Sequence, residues 1–80
     1  MKPTLIVYLR HDCHLCEAFM AELQTLQSRW EFDVTTRDID ADPVLRERYD
    51  TLVPVLTVDG REVCHYFLDP ERLAPYFERA

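Results

Sequence analysis

Five apolar residues, Leu5-Ile6-Val7-Tyr8-Leu9, are followed almost at once by Cys13-His14-Leu15-Cys16, and that stretch opens a segment of helical periodicity. The apolar run is rich in β-formers, and its length suits a strand buried on both faces. Leu15, Phe19, Leu23, Leu26 and Trp30 then recur at spacings of four, four, three and four. That is one face of an α-helix, and Glu17, Glu22, Gln24 and Gln27 lie largely off it. Asp12 is the candidate N-cap, since its carboxylate could accept from the first free backbone N–H groups. The helix is expected to end near Ser28 to Trp30. Phe32, Val34 and Thr36 alternate with polar residues, so residues 31–38 read as a second strand. Strand, helix and strand at this length make a βαβ unit, with parallel strands and a right-handed crossover.

The rest of the chain extends that unit. Asp42-Pro43 reads as an N-cap with proline at the first helical position. Val44, Leu45, Arg48 and Tyr49 predict a short helix ending near Asp50. Val53-Pro54 opens another apolar run, Val55 to Val58, and Asp59-Gly60 separates it from Glu62 to Phe67. A D-G pair between two β-rich runs is a strong hairpin signal. Asp69-Pro70 repeats the cap-then-proline start, and Leu73, Tyr76 and Phe77 give a short amphipathic helix that Pro75 weakens in its middle. The order β-α-β-α-β-β-α predicts an α/β fold, a four-stranded mixed sheet covered by helices on both faces. Residues 1–80 read as a single domain.

Composition narrows the function classes. The formal charge is −6 and the pI about 4.8, which opposes binding to a nucleic-acid backbone, a role that needs a basic face. Before Arg10 the apolar run is too short for a signal-peptide core or a membrane span. No membrane association is therefore expected, and a cytoplasmic monomer is. In that compartment paired cysteines tend to be catalytic or metal-binding rather than structural. Three cysteines, an odd number, also fit poorly with a disulfide-stapled scaffold.

A C-x-x-C beside a βαβ pattern reads first as a redox motif. The attacking group must be a thiolate, and a free cysteine, with a pKa of about 8.5, is mostly protonated at neutral pH. Cys13 at a helix N-terminus would meet unpaired N–H groups and the positive end of the helix dipole. Arg10, His11 and His14 could add positive charge, and Asp12 would act in the opposite sense. Cys16 lies one turn along the same side. Cys13, nearer the helix end, is expected to attack first, with Cys16 more buried and resolving the mixed disulfide.

With the C-x-x-C at the head of the first helix and Val53-Pro54 entering the third strand, the chain resembles the thioredoxin fold. It is similar in particular to short bacterial glutaredoxin-like proteins of poorly defined function, and the segment from Asp38 through Tyr49 shares in that likeness. The resemblance implies a thiol–disulfide oxidoreductase with a redox-active Cys13–Cys16 pair. It also implies a cis Val53–Pro54 bond that leaves Val53 free to pair with a substrate segment. A proline at the first position of a strand is the simpler alternative reading. Implied partners are a protein disulfide or a glutathione mixed disulfide, together with a thiol or reductase that supplies electrons.

The chain departs from that family at one point. Glutaredoxins commonly carry a Gly-Gly pair where backbone approaches glutathione, and here the equivalent positions are Cys64-His65. Glycine serves where a backbone must come close to a ligand, so no cofactor is expected and glutathione binding is in question. The carboxylate-bearing position that follows falls on Leu68, or on Asp69 after a one-residue shift. Cys13, Cys16, Cys64 and His65 also compose a Cys₃His set of the kind that holds zinc. Adjacent strand residues point to opposite faces, however, so Cys64 and His65 could share a metal only across a bulge. Cys64 alone reads as a small buried residue. A third possibility is a binding module that uses the fold without turnover, for which the paired thiols would have no use.

Overall fold

The computed structural model describes residues 2–78. Four strands form one sheet: β1 (Leu5–Leu9), β2 (Val34–Asp38), β3 (Val55–Val58) and β4 (Arg61–His65), in the spatial order β2-β1-β3-β4. β1 runs parallel to β2, with Leu5 opposite Val34, and antiparallel to β3, with Leu5 opposite Val58. β3 and β4 are antiparallel. The C-terminal ends of β1, β2 and β4 therefore meet the N-terminal end of β3 at one edge of the sheet. This is the mixed sheet expected from the order of elements.

Alternation along the central strands divides the core in two. Leu5, Val7, Leu56 and Val58 face α1 (His14–Leu26) and α3 (Pro70–Leu73), packing with Phe19, Leu23 and Leu73. Val55 faces the other way, toward α2 (Pro43–Tyr49), in a second cluster with Ile39, Tyr49, Val53 and Cys16. Tyr8 packs against that second cluster, its ring stacked on Tyr49 at 4.5 Å. Central strands covered on both sides read as unbroken apolar runs for this reason.

Local chemistry sets the ends of the elements. Pro43 and Pro70 begin their helices behind the caps Asp42 and Asp69, each of which accepts a backbone N–H two residues on. The hairpin turn has φ of +51° at Asp59 and +85° at Gly60, the pair of positive values that the tight primed turn requires. Pro75 ends α3 early, and the chain continues as a single 3₁₀ turn, Ala74–Tyr76.

Several boundaries differ from the sequence reading. α1 stops at Leu26, and tighter turns at Gln27 to Arg29 carry the chain to Trp30, whose N–H still reaches the Leu26 carbonyl at 2.9 Å. β2 starts at Val34 rather than Glu31, because the Phe32 carbonyl accepts from the Gln27 side chain at 2.9 Å. Between β2 and α2 the chain does not run as a plain loop. Ile39–Ala41 is a 3₁₀ turn capped by Asp38, and it buries Ile39 completely. Leu15, placed on the core stripe by periodicity, is instead 39% exposed.

Candidate functional site

The sharp passage from β1 into α1 places the two thiols. Asp12 takes φ of +55°, a left-handed conformation that aspartate tolerates better than most residues. It is not the N-cap. The cap is Cys13, extended at φ −114°, whose Sγ accepts the Cys16 N–H at 3.1 Å. The capping position is the residue immediately before His14, so Asp12 stands one place too early. Cys13 and Cys16 are joined as a disulfide, with Cα atoms 5.2 Å apart. Cys16 is buried at 4% exposure and Cys13 is half-buried.

Val53 and Pro54 lie at the same edge of the sheet, joined by a cis peptide bond. Both are buried, and Val53 shares its core cluster with Cys16. The backbone N–H and carbonyl of Val53 make no backbone hydrogen bond among the described residues. Beside the thiols lies a cleft of about 300 Å³, bordered by Leu9, Arg10, Asp12 and Met20. A larger hollow of about 510 Å³ sits between α1 and β2, around Met20, Gln24 and Val34. It contains no thiol, so the smaller cleft is the one that matters for sulfur chemistry.

Arg10 lines the cleft, but its charge is already engaged. Its guanidinium donates to Asp40 Oδ2 and Oδ1 at 3.2 and 2.8 Å, to the Asp50 carbonyl at 3.0 Å, and to Asp50 Oδ1 at 3.1 Å. The hydrogen bonds to Asp40 and then Asp50 push its pKa further up. In return, Arg10 holds the Asp40 carboxyl below the usual carboxylate range. The positive charge that Arg10 brings beside the thiols is thus also a strut joining the end of β1 to both ends of the α2 segment. His11 and His14 are fully or nearly fully exposed. His11 Nε2 lies 3.3 Å from Asp38 Oδ2, and His14 Nδ1 lies 3.8 Å from Glu17 Oε2.

Cys64 and His65 part company. Cys64 is buried at 5% exposure in the core beneath α1, and burial pushes its thiol pKa up. His65 is exposed. A bulge does interrupt β4: Leu56 pairs with Cys64 but the next residue, Thr57, pairs with Glu62. The extra residue is Val63, before Cys64, so the bulge does not bring Cys64 and His65 to one side. Among the described residues no group of three or more His, Cys, Asp or Glu could hold a metal ion. The Cys₃His set is therefore not assembled.

One contributor escaped the sequence reading. Tyr66 takes φ of +64° and fastens the chain after β4 to the proline loop, its N–H donating to the Pro54 carbonyl at 2.9 Å and its hydroxyl to the Thr51 carbonyl at 2.7 Å. No residue pattern signals a tyrosine in that conformation. Nothing in the residue pattern marks Asp40 as the partner of Arg10 either.

A mixed four-stranded sheet, with a cysteine pair at the head of α1 and a cis-proline before β3, defines a thioredoxin-fold protein of the glutaredoxin-like kind. The chain belongs to the family described as glutaredoxin-like domain (DUF836), whose model matches residues 4–78. It is 31% identical over 77 residues to uncharacterized proteins of Mycobacterium tuberculosis and Mycobacterium bovis, covering 90% of this chain and 79% of each relative. Among solved structures it is similar to a Nitrosomonas europaea protein determined by solution NMR. That likeness has a TM-score of 0.88 and 38% identity, covering 98% of this chain and 94% of the other. A structural-genomics target protein from X. campestris follows at a TM-score of 0.68 and 35% identity, over 91% of this chain and 93% of the other. A thioredoxin-like protein at 20% identity, with a TM-score of 0.61, shares the fold. Among the described residues, no helix is long and apolar enough to cross a membrane.

Proposed function

We propose that this protein is a thiol–disulfide oxidoreductase that works through Cys13 and Cys16. The observation that carries the reading is the asymmetry of the pair. Cys13 is half-open at the end of α1 with a backbone N–H aimed at its sulfur, whereas Cys16 is buried behind it. An N–H donor and a helix N-terminus favour negative charge on the sulfur they face. In the reduced protein, the Cys13 thiolate attacks one sulfur of a partner disulfide and displaces the other as a thiolate, which takes a proton from water. Cys16 then gives up its proton and attacks Cys13. The Cys13–Cys16 disulfide closes, and the second partner sulfur leaves. Two electrons pass from the protein to the partner, and an external thiol or dithiol returns them.

Val53 supports this reading as a positioning site. Its unpaired backbone groups beside the thiols can accept an extended partner segment as a short added strand. We place the reaction in the cytoplasm, where the returning thiols are abundant. The test is dithiothreitol-driven reduction of insulin and of a glutathione mixed disulfide, with Cys13→Ser as control. Wild-type turnover of at least one substrate, lost in Cys13→Ser, is expected. No turnover of either would overturn the reading in favour of a binding module.

A further inference from the structure

The chain leaving β4 returns to the end of the sheet where Val53-Pro54 lies, and exposed apolar side chains follow it. Tyr66 is fixed there by its two hydrogen bonds to the carbonyls of Pro54 and Thr51. A left-handed backbone at an aromatic residue is uncommon and persists only where its surroundings hold it. Pinning Tyr66 turns the next residue, Phe67, outward to 70% exposure. Tyr66 itself is 36% exposed, and so is a good part of Leu15, which sits between the two cysteines. β4 ends at the same edge of the sheet as β1, which feeds the thiols. Isolated exposed apolar residues need no explanation, but grouped ones mark interaction surfaces.

Charge at this edge points away from a small anionic ligand. The basic side chains that flank the thiols already face carboxylates: Arg10 with Asp40 and Asp50, and the imidazoles of His11 and His14 with Asp38 and Glu17. The segment after Phe67 adds Asp69 and Glu71, and Arg72 is turned inward to the Val63 carbonyl at 3.1 Å. A ligand bearing two carboxylates would meet carboxylates at these positions. A polypeptide would meet apolar side chains, together with the unpaired backbone groups of Val53.

We propose that Leu15, Tyr66 and Phe67 form a rim that selects polypeptide disulfides with a large apolar residue beside the reactive cysteine, over the mixed disulfide of glutathione. The inference rests on the dithiol reading above and names its substrate class. Cys13 attacks the polypeptide sulfur while the apolar neighbour rests on Phe67 and Tyr66, the other sulfur of that disulfide leaves as a thiolate and takes a proton from water, and Cys16 then attacks Cys13 and releases the polypeptide as a thiol.

The test uses short one-cysteine peptides as mixed disulfides with a chromogenic arylthiol, one with leucine on each side of the cysteine and one with serine. The same arylthiol disulfide of glutathione is the third substrate, and dithiothreitol regenerates the enzyme. For the wild type, the leucine peptide should turn over roughly tenfold faster than the serine peptide, and glutathione should be the slowest. In Phe67→Ser the leucine-to-serine ratio should fall toward one. A second variant, Phe67→Leu, should restore the ratio. The inference is overturned if wild type reduces all three at similar rates, or if the ratio is unmoved in Phe67→Ser. A concentration-dependent dimer that Phe67→Ser abolishes, with the ratio unchanged, would reassign the rim to self-association. Failure of wild type on every substrate would instead bring down the dithiol reading itself.

Discussion

Arg10 grips the carboxylate of Asp40 with two hydrogen bonds, from Nε at 3.2 Å and from Nη2 at 2.8 Å. The two residues come from separate elements, the end of β1 and the 3₁₀ turn after β2. Arg10 also reaches Asp50 beyond α2, and Arg46 adds a bond from α2 to Asp40 at 3.2 Å. The α2 segment is thereby tied to the strand that feeds the thiols. A planar guanidinium suits this double grip in a way that a lysine ammonium does not.

That grip has a pH signature. The Asp40 carboxyl is held below its ordinary value, first by the Arg10 hydrogen bonds. A group whose folded pKa is depressed contributes stability above its unfolded pKa and loses it as pH falls through the folded one. Asp40→Asn should therefore be less stable than wild type near pH 7. The gap in urea midpoint should close on acidification below about pH 4, where unfolded aspartate protonates. A gap that stayed constant down to about pH 3 would contradict this account.

Cys64 should be chemically quiet. Its burial raises the thiol pKa, so little thiolate is present at neutral pH. Iodoacetamide on the reduced native protein should label Cys13 first, and Cys64 only once the protein is unfolded. Cys64→Ala should keep disulfide-reducing activity and cost about 1 kcal/mol of stability through lost burial. Peptide mapping of the alkylated protein and urea melts check both halves.

Leu23 is completely buried between α1 and the sheet. Leu23→Ala should cost about 2–5 kcal/mol through lost burial and the cavity left behind. A domain of this size has roughly 5–15 kcal/mol in total, so the variant should be partly unfolded at 37 °C. Circular dichroism during a thermal melt will show whether the midpoint falls accordingly.

Asp69 caps α3 by accepting from the backbone N–H groups of Glu71 and Arg72. Asp69→Ala should cost about 1 kcal/mol, and Asp69→Asn or Asp69→Ser should recover most of it. The helix is short, and it carries the fully buried Leu73. The loss should appear as a shift in urea midpoint with no change in slope.

Much of the architecture was legible because local signals agreed with one another. Apolar runs marked β1 and β3, the four- and three-residue stripe marked α1, and Asp-Pro pairs marked the starts of α2 and α3. The Asp59-Gly60 turn then fixed the hairpin. Asp12 and Leu15 were misread because both sit where the chain turns sharply into α1. There, backbone conformation rather than periodicity decides which atom caps and which side chain is buried. The engagement of Arg10 and the clamp at Tyr66 depend on residues 30 and 15 positions away, respectively. Contacts of that range leave no periodic trace, so charge near the thiols could be counted from sequence but not assigned.

The extra residue at Val63 bears on how the sheet meets its neighbours. β4 lies at the border of the sheet, paired on one side only. A border strand with regular backbone is a template on which another chain can grow. The bulge interrupts that template, because a kinked strand offers no continuous ladder to a passing β-segment. On the proposed reading, in which extended chains bind beside the thiols, the bulge blunts a border where such chains could stack without reacting.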